Sequence, residues 1–487
     1  MTMPVLHIPR HDDLRRAAAT AIGVTLAAVA GLLLARLTPL EGTLFVLLTV
    51  GGAATVSEPL VGLGLTLFLA PLWAYLRAEV PQVPAQIAQV FVALTLASWL
   101  ARMLARREVR RPPSPLLLPL LVFVGAAWLS LWDAVELPVY GLPELVKWAQ
   151  VVLLYLFTRA HLDRRRLPWL LGMVLGVGLF EAGVGIWQFG LRGYGPDHFA
   201  IPSLGEGIYR AYGTFEQPNP YAGFIGMLLS LAVGVALESV RQMAAQRRVA
   251  LRAGLFLLIA LVLGSALVMS WSRGAWLGFG AALAVMTVAG PRRARWGVAL
   301  LLVLAAGFGL LYGAHLLPAS VAARLTGFTA YVRFSDVRGV GINDANYAVI
   351  ERLAHWQAAL EMFRYHPWTG VGFGCYEPAY RDFALINWPI PLGHAHNYYL
   401  NLAAETGAVG LAAYLLLWAA VLWQTWRTTR RTVGLERGVA IGLLGAWAHL
   451  AVHSGLDNLY VNNVHLFVGV LLGLAAGTGG AESTDGR

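Results

Sequence analysis

Residues 251–288 read LRAGLFLLIALVLGSALVMSWSRGAWLGFGAALAVMTV, two apolar runs, Leu251–Met269 and Ala275–Val288, with only a very short turn between them. A helix crossing a bilayer needs about 20 apolar residues, so each run is a candidate span and Arg273 is held at the turn, near membrane level. Similar runs recur from Ala17–Leu37 to Val464–Gly477, separated by short connectors that carry arginine. Composition agrees: 58% of residues are hydrophobic and 13% charged, against about 25% charged in soluble domains, and the mean hydropathy is +0.62. The expected fold is all-α, a polytopic membrane protein of about 14 transmembrane helices (12 to 14). The first run is too long and too closely followed by others to be a cleaved signal peptide.

Arginine placement orients the bundle, because short loops rich in Lys and Arg stay cytoplasmic. Arg15 and Arg16 precede the first run, and every second connector after it is basic, as at Arg106-Arg107, Arg164-Arg165-Arg166, Arg247-Arg248, Arg292-Arg293 and Arg430-Arg431. Both termini are therefore expected in the cytoplasm. The organisation follows: residues 1–16 a cytoplasmic N-terminus, 17–317 transmembrane helices 1–11, 318–396 one large extracytoplasmic helical loop covering the bundle, 397–478 helices 12–14, and 479–487 a cytoplasmic tail.

The net charge of +10 lies mostly in those inner loops and needs no nucleic-acid partner. Cys375 is the one cysteine, so an intrachain disulfide and a thiolate metal cluster are both excluded within one chain. Walker-type, HExxH and CxxC motifs are missing from the sequence, which argues against ATP hydrolysis and zinc proteolysis.

Chemistry is then expected on the outer face. Arg273 breaks the rule that arginines stay inside; a snorkelling arginine beside interfacial tryptophans is the plain reading, an anion partner the functional one. Arg210 is a second outer arginine, for which a plain surface position is the readier reading. Arg352 lies on an expected amphipathic helix capped by Asn343 or Asp344, with Val349, Leu353, Trp356, Leu360 and Phe363 as its apolar stripe. Glu351 and His355 are spaced to pair, leaving Arg352 without a local carboxylate; a solvated face residue is its plain reading. His396 stands at the start of the next span, Asn397–Trp423, where an interfacial polar residue is the ordinary case and a neutral imidazole able to accept a proton the functional one. Asn397, Asn401 and Glu405 carry polarity down one face of that span, as spans facing a protein interior or a wet cavity do. His396 and Glu405 are about half a turn out of phase at roughly 100° per residue, so Glu405 does not orient His396 directly.

Taken in order, these segments resemble a known family. His396-Asn397-x-x-Leu400-x-x-x-x-Glu405-x-Gly407-x-x-Gly410 is similar to the signature closing the large periplasmic loop of the O-antigen ligase and O-antigen polymerase superfamily. Gly213-Thr214-Phe215 through Pro218-Asn219-Pro220, Ser272-Arg273-Gly274-Ala275, and Arg352 through Gly370-Val371-Gly372 resemble its other segments, over about residues 200–410. The resemblance implies a C-type glycosyltransferase of the bacterial cytoplasmic membrane with its active site facing the periplasm. It implies a polyprenyl (undecaprenyl) diphosphate-linked glycan as donor, an envelope lipid or glycan as acceptor, and neither cofactor nor metal. His396 would be the general base, and Arg273 and Arg352, with Arg210, would hold the diphosphate.

Second candidates are His394, which could assist His396, and His453, which with His449 and the following Asp457 could line the cavity. Asn397, Glu405 and Lys147 complete them, Lys147 as a further phosphate contact. Three functions are distinguished: a ligase-like transferase, favoured; a repeat-unit polymerase with the same donor chemistry; and a non-enzymatic flippase, against which stands the scarcity of charge along the spans, Glu181 being the clearest.

Overall fold

A computed structural model describes residues 20–477 except 22, 23, 26, 30, 33, 108–113, 244–246, 317–335 and 344–345. Both expected cytoplasmic termini, part of the Ala17–Leu37 run, the start of the large loop and Asp344 lie outside the described residues. The ordered elements are α1 (Pro39–Ser57), α2 (Pro59–Leu69), α3 (Trp73–Glu79), α4 (Ile87–Arg106), α5 (Leu117–Ser130), α6 (Leu142–His161), α7 (Leu167–Ile186), α8 (Pro218–Gln242), α9 (Arg247–Met269), α10 (Arg273–Ala289), α11 (Ala294–Gly313), α12 (Tyr347–Tyr365), α13 (Tyr376–Phe383), α14 (Tyr398–Arg431), α15 (Gly434–Ser454) and α16 (Val464–Gly477). No strand occurs among the described residues beyond one isolated antiparallel bridge between Ala200 and Tyr209.

Eight of the described helices are long and apolar enough to cross a membrane, or nine if α2 and α3, bent by 62° at Ala70–Leu72, form one broken span. The expected count of about 14 goes beyond this. Leu117–Ser130, Arg273–Ala289 and Val464–Gly477 are apolar but shorter than a bilayer, and the first apolar run is described only in part. The polytopic helical class stands.

The helices α8 and α15 form the buried centre, and α1 and α11 the periphery. The central pair packs backbone to backbone: a Cβ on Gly234 would lie 2.1 Å from the Gly442 nitrogen, so only glycine permits the approach. At one end of this pair the arginines gather. Arg437, fully buried, pairs with Glu238 and donates to the carbonyls of Gly290 and Thr429. Arg292 donates to the carbonyls of Arg430 and Thr432, and Arg430 to that of Pro291. These guanidinium groups satisfy helix C-terminal carbonyls that have no partner within their own helices. Residues from several of the basic connectors thus share one end of the bundle, and Arg273 opens α10 at the other.

That other end carries α12 and α13, which pack on the start of α14. The helix α12 forms as expected, but its buried face is set by Ile350, Leu353, Ala354, His355, Ala358, Ala359 and Met362. Of the expected stripe only Leu353 is buried, and Leu360 is 41% exposed. Apolarity marked the bulky residues, whereas close packing here uses alanine. Nor does His355 pair with Glu351; it stacks on Tyr380, centroids 4.6 Å apart, and its Nδ1 lies 3.0 Å from the Tyr376 hydroxyl.

The span α14 is broken at Gly407, with φ 62° and ψ −164°. The turn after α12 supplies partners for the interrupted ladder: Ala408 N–H donates to the Pro367 carbonyl at 2.8 Å, and Gly372 N–H to that of Glu405 at 3.0 Å. A Cβ at position 407 would sit 2.3 Å from the Trp368 carbonyl carbon. Gly407→Ala is therefore expected to cost on the order of 2–4 kcal/mol, part conformational and part backbone displacement. Thermal unfolding in detergent reads this; an unshifted midpoint would contradict the clamp.

Candidate active site

Three arginines from three separate segments meet at one cavity of about 290 Å3, lined by Arg210, Asn219, Ser272, Arg273, Gly274, Leu277, Ala348, Val349, Arg352, Leu353, Trp356, His453 and Leu456. Arg273 is the first residue of α10, and Arg352 lies on the second turn of α12. Arg210 is anchored in its loop: Nε donates to the Ser270 carbonyl at 2.9 Å and Nη2 to Asn219 Oδ1 at 3.0 Å. Ser272 Oγ donates to the same Asn219 oxygen at 2.9 Å. Asn219 thus fastens the 209–217 loop to the Ser272-Arg273 turn. Among the described residues no carboxylate lines this cavity, so its charge suits an anion.

At its edge, one residue beyond Leu456, stands a histidine and carboxylate cluster. His396 Nδ1 lies 3.4 Å from Asp457 Oδ1, long for a hydrogen bond, and His394 Nε2 lies 3.9 Å from the same oxygen. The backbone N–H of His396 donates to His394 Nδ1 at 3.0 Å. His396 Nε2, by contrast, is buried with no hydrogen-bond partner. His355, one turn along α12 from Arg352, comes within 6.0 Å of His396 between ring centroids. His394, His396 and Asp457 bring their ligand atoms within 4.8 Å of one another, a donor set that could also hold a metal ion.

The main chain is shaped to present this cluster. His396 lies outside the helix, with φ 51° in the left-handed region, a conformation that needs support from its surroundings. Asn401 Oδ1 supplies it by accepting from Ala395 N–H at 3.0 Å. Asn397 is the N-cap of α14, accepting from Tyr399 and Leu400 N–H. Glu405 accepts from Tyr376 N–H at 3.1 Å. The polar stripe of α14 therefore braces the loop backbone, and Glu405 does not reach His396.

Of the sequence candidates, Arg210, Arg273, Arg352 and His453 share the cavity, with His396 and His394 beside it. Lys147 sits elsewhere, 2.5 Å from Glu144, and Glu181 accepts from Thr214 N–H and Oγ1 at 3.0 and 2.7 Å, a brace for the 209–217 loop. Asn219 and His355 had no site role in the sequence reading, and Asp457 appeared only beside His449 and His453. The usable signal for Asp457 is a carboxylate in a short connector, with no Lys or Arg near it in sequence to explain it.

Electrostatics follow from burial. Burial pushes Asp457 up, but the hydrogen bond from His396 and the nearby His394, His396 and Arg352 charges outweigh it and hold the carboxyl well below its usual range. Burial, then repulsion from His396, pushes His394 down to about 4, and the same causes push His355 down to about 4. An unfolded chain would protonate these imidazoles near 6.5. Between pH 6.5 and 4 the unfolded state thus binds protons that the folded state refuses, so stability rises with pH across that window and is lost on acidification. Hydrogen-exchange protection factors of residues 347–397, referred to the intrinsic rate at each pH, are expected to fall from pH 7 to 5, and less so in a His355→Gln, His394→Gln variant; an equal fall in both would remove these groups as the cause.

Residues 255–415 match the family model described as O-Antigen ligase, a segment that takes in Arg273, Arg352, His394 and His396. No curated protein matches the chain. Apolar helices and this segment together mark a membrane protein of polysaccharide biosynthesis. Over that third of the sequence, the chain is similar to the O-antigen ligase family.

Proposed function

We propose that this protein transfers a glycan from a polyprenyl diphosphate to an envelope acceptor at the outer face of the bacterial cytoplasmic membrane, in the manner of a ligase. The observation that carries the reading is the convergence of Arg210, Arg273 and Arg352 on one cavity that no described carboxylate lines, with the Asp457–His396 pair at its edge. Guanidinium groups fork onto phosphate oxygens and stay charged at any relevant pH, so they can neutralise charge growing on a departing diphosphate.

Asp457 faces His396 Nδ1 and favours the tautomer with its proton there, leaving the Nε2 lone pair to work. Nε2 takes the proton of an acceptor hydroxyl as that oxygen attacks the anomeric carbon. The bond from that carbon to the diphosphate breaks, the electron pair leaves with the lipid diphosphate, and a single displacement inverts the anomeric centre. The orientation proposed, with both termini cytoplasmic, rests on the arginine-rich end lying opposite the cavity. The chemistry uses Asp457 as an orienting group and not as a metal ligand, so EDTA is expected to leave the rate unchanged.

Purified protein in liposomes, supplied with a polyprenyl-diphosphate glycan, tests the reading. Transfer to a lipid A-type acceptor supports a ligase, and transfer only to a second lipid-linked repeat unit makes it a polymerase. Movement of intact donor across the bilayer without transfer would overturn the enzyme in favour of a flippase.

A further inference from the structure

A second cavity, of about 610 Å3, opens on the other side of the 209–217 loop: Arg210 lines the first cavity, while Tyr212, Thr214 and Glu216 line the second. Its walls are the bend after α2 with α3 itself, and the last turns of α7, which continue as a π-helical turn over Trp187–Leu191. Irregular backbone at membrane depth is tolerated where it lines a cavity. Here it is built in: Thr214 Oγ1 donates to the Pro71 carbonyl and Asn463 Nδ2 to that of Ala70, at 3.1 Å each.

The lining is graded. Phe180 and Val184 lie inside the Leu167–Leu191 span, Phe180 about 16 Å below its end at 1.5 Å rise per residue. Towards the end of the span come Tyr75 and Trp187, and then Glu79, Arg192 and Glu216. Arg192 lies over the Tyr194 ring at 4.2 Å and donates to the Tyr212 hydroxyl at 2.9 Å. Such a surface fits an amphiphile with its chains at Phe180 and its polar head at Arg192. Two carboxylates against one guanidinium disfavour a diphosphate there and suit sugar hydroxyls, which both donate and accept.

We propose that this cavity holds the acceptor, a membrane lipid carrying a sugar headgroup, while the arginine cavity holds the donor. This rests on the transferase reading and deepens it, since an acceptor without diphosphate makes the enzyme a ligase. The two substrates then lie on either side of the 209–217 loop, whose Arg210 faces one and Tyr212 the other.

The test places p-benzoylphenylalanine at Tyr75, and in a second variant at Leu277 of the arginine cavity, in liposomes holding a labelled lipid A-type glycolipid and a differently labelled polyprenyl-diphosphate glycan. Irradiation is expected to capture glycolipid at position 75 and donor at 277. Capture at 75 of donor, of bulk phospholipid only, or of nothing would overturn the proposal. Glycolipid at 75 with no donor at 277 would keep the second cavity and sink the donor site. Arg192→Gln and Trp187→Ala are expected to raise the acceptor KM about tenfold each, as loss of a charged hydrogen-bonding or stacking group does, with the donor KM unchanged. An equal rise in both constants would assign these residues to the fold alone.

Discussion

His396→Ala is expected to lower transfer by a factor on the order of 10²–10⁴, the range that a positioned general base contributes, with the donor KM changed little. The split follows from geometry, because His396 lies beside the arginine cavity and not among its lining residues. Asp457→Asn should cost about 10² or more with the imidazole still in place, since an amide no longer selects the tautomer with Nδ1 protonated. His394→Ala is expected to do less, since it accepts from the His396 N–H at 3.0 Å and stands 3.9 Å from Asp457 without facing either nitrogen's partner in the reaction. The measurement is transfer in liposomes with purified variants, alongside donor binding by the same proteins. Undiminished transfer by His396→Ala would remove it as the base and leave an arginine site without a proton acceptor.

What could be read beforehand was what chemistry writes locally. An apolar run announces a membrane helix by composition alone, and an arginine on the face where arginines are scarce announces itself by its cost. Arg273 stands out that way, whereas Arg352 and His396 are marked only by an expected amphipathic helix and the start of a span, and their roles come from the resemblance to the O-antigen ligase superfamily. Contacts between distant segments left no such trace. Asp457 and His396 are separated by 61 residues, and nothing local in either segment names the other. Asn219 lay within a quoted motif, yet its task of joining two loops is visible only when Arg210 and Ser272 both point at it. The face of α12 was misjudged because alanine, weak in apolarity, is what allows two helices to approach. The break at Ala70–Leu72 did have a signal, Pro71 inside an apolar run, since proline removes a backbone donor and interrupts the helical ladder.

Arg273→Ala and Arg352→Ala are each expected to lower kcat/KM by a factor on the order of 10²–10³, the effect of removing one group that stabilises charge developing in the transition state. Lysine should restore only part of it, because an ammonium is a point charge and cannot reproduce two parallel N–H bonds to phosphate oxygens. The two residues come from α10 and α12 and border the same cavity, so the double variant should lose less than the product of the single effects if both grip one diphosphate. Arg210 divides its guanidinium between Ser270 and Asn219, so Arg210→Ala is expected to lower thermal stability as well as activity. Steady-state transfer at varied donor concentration, with melting curves of the same proteins, separates these cases. Activity within threefold of wild type in both single variants would mean that the cavity does not hold the reacting diphosphate, whatever its charge attracts.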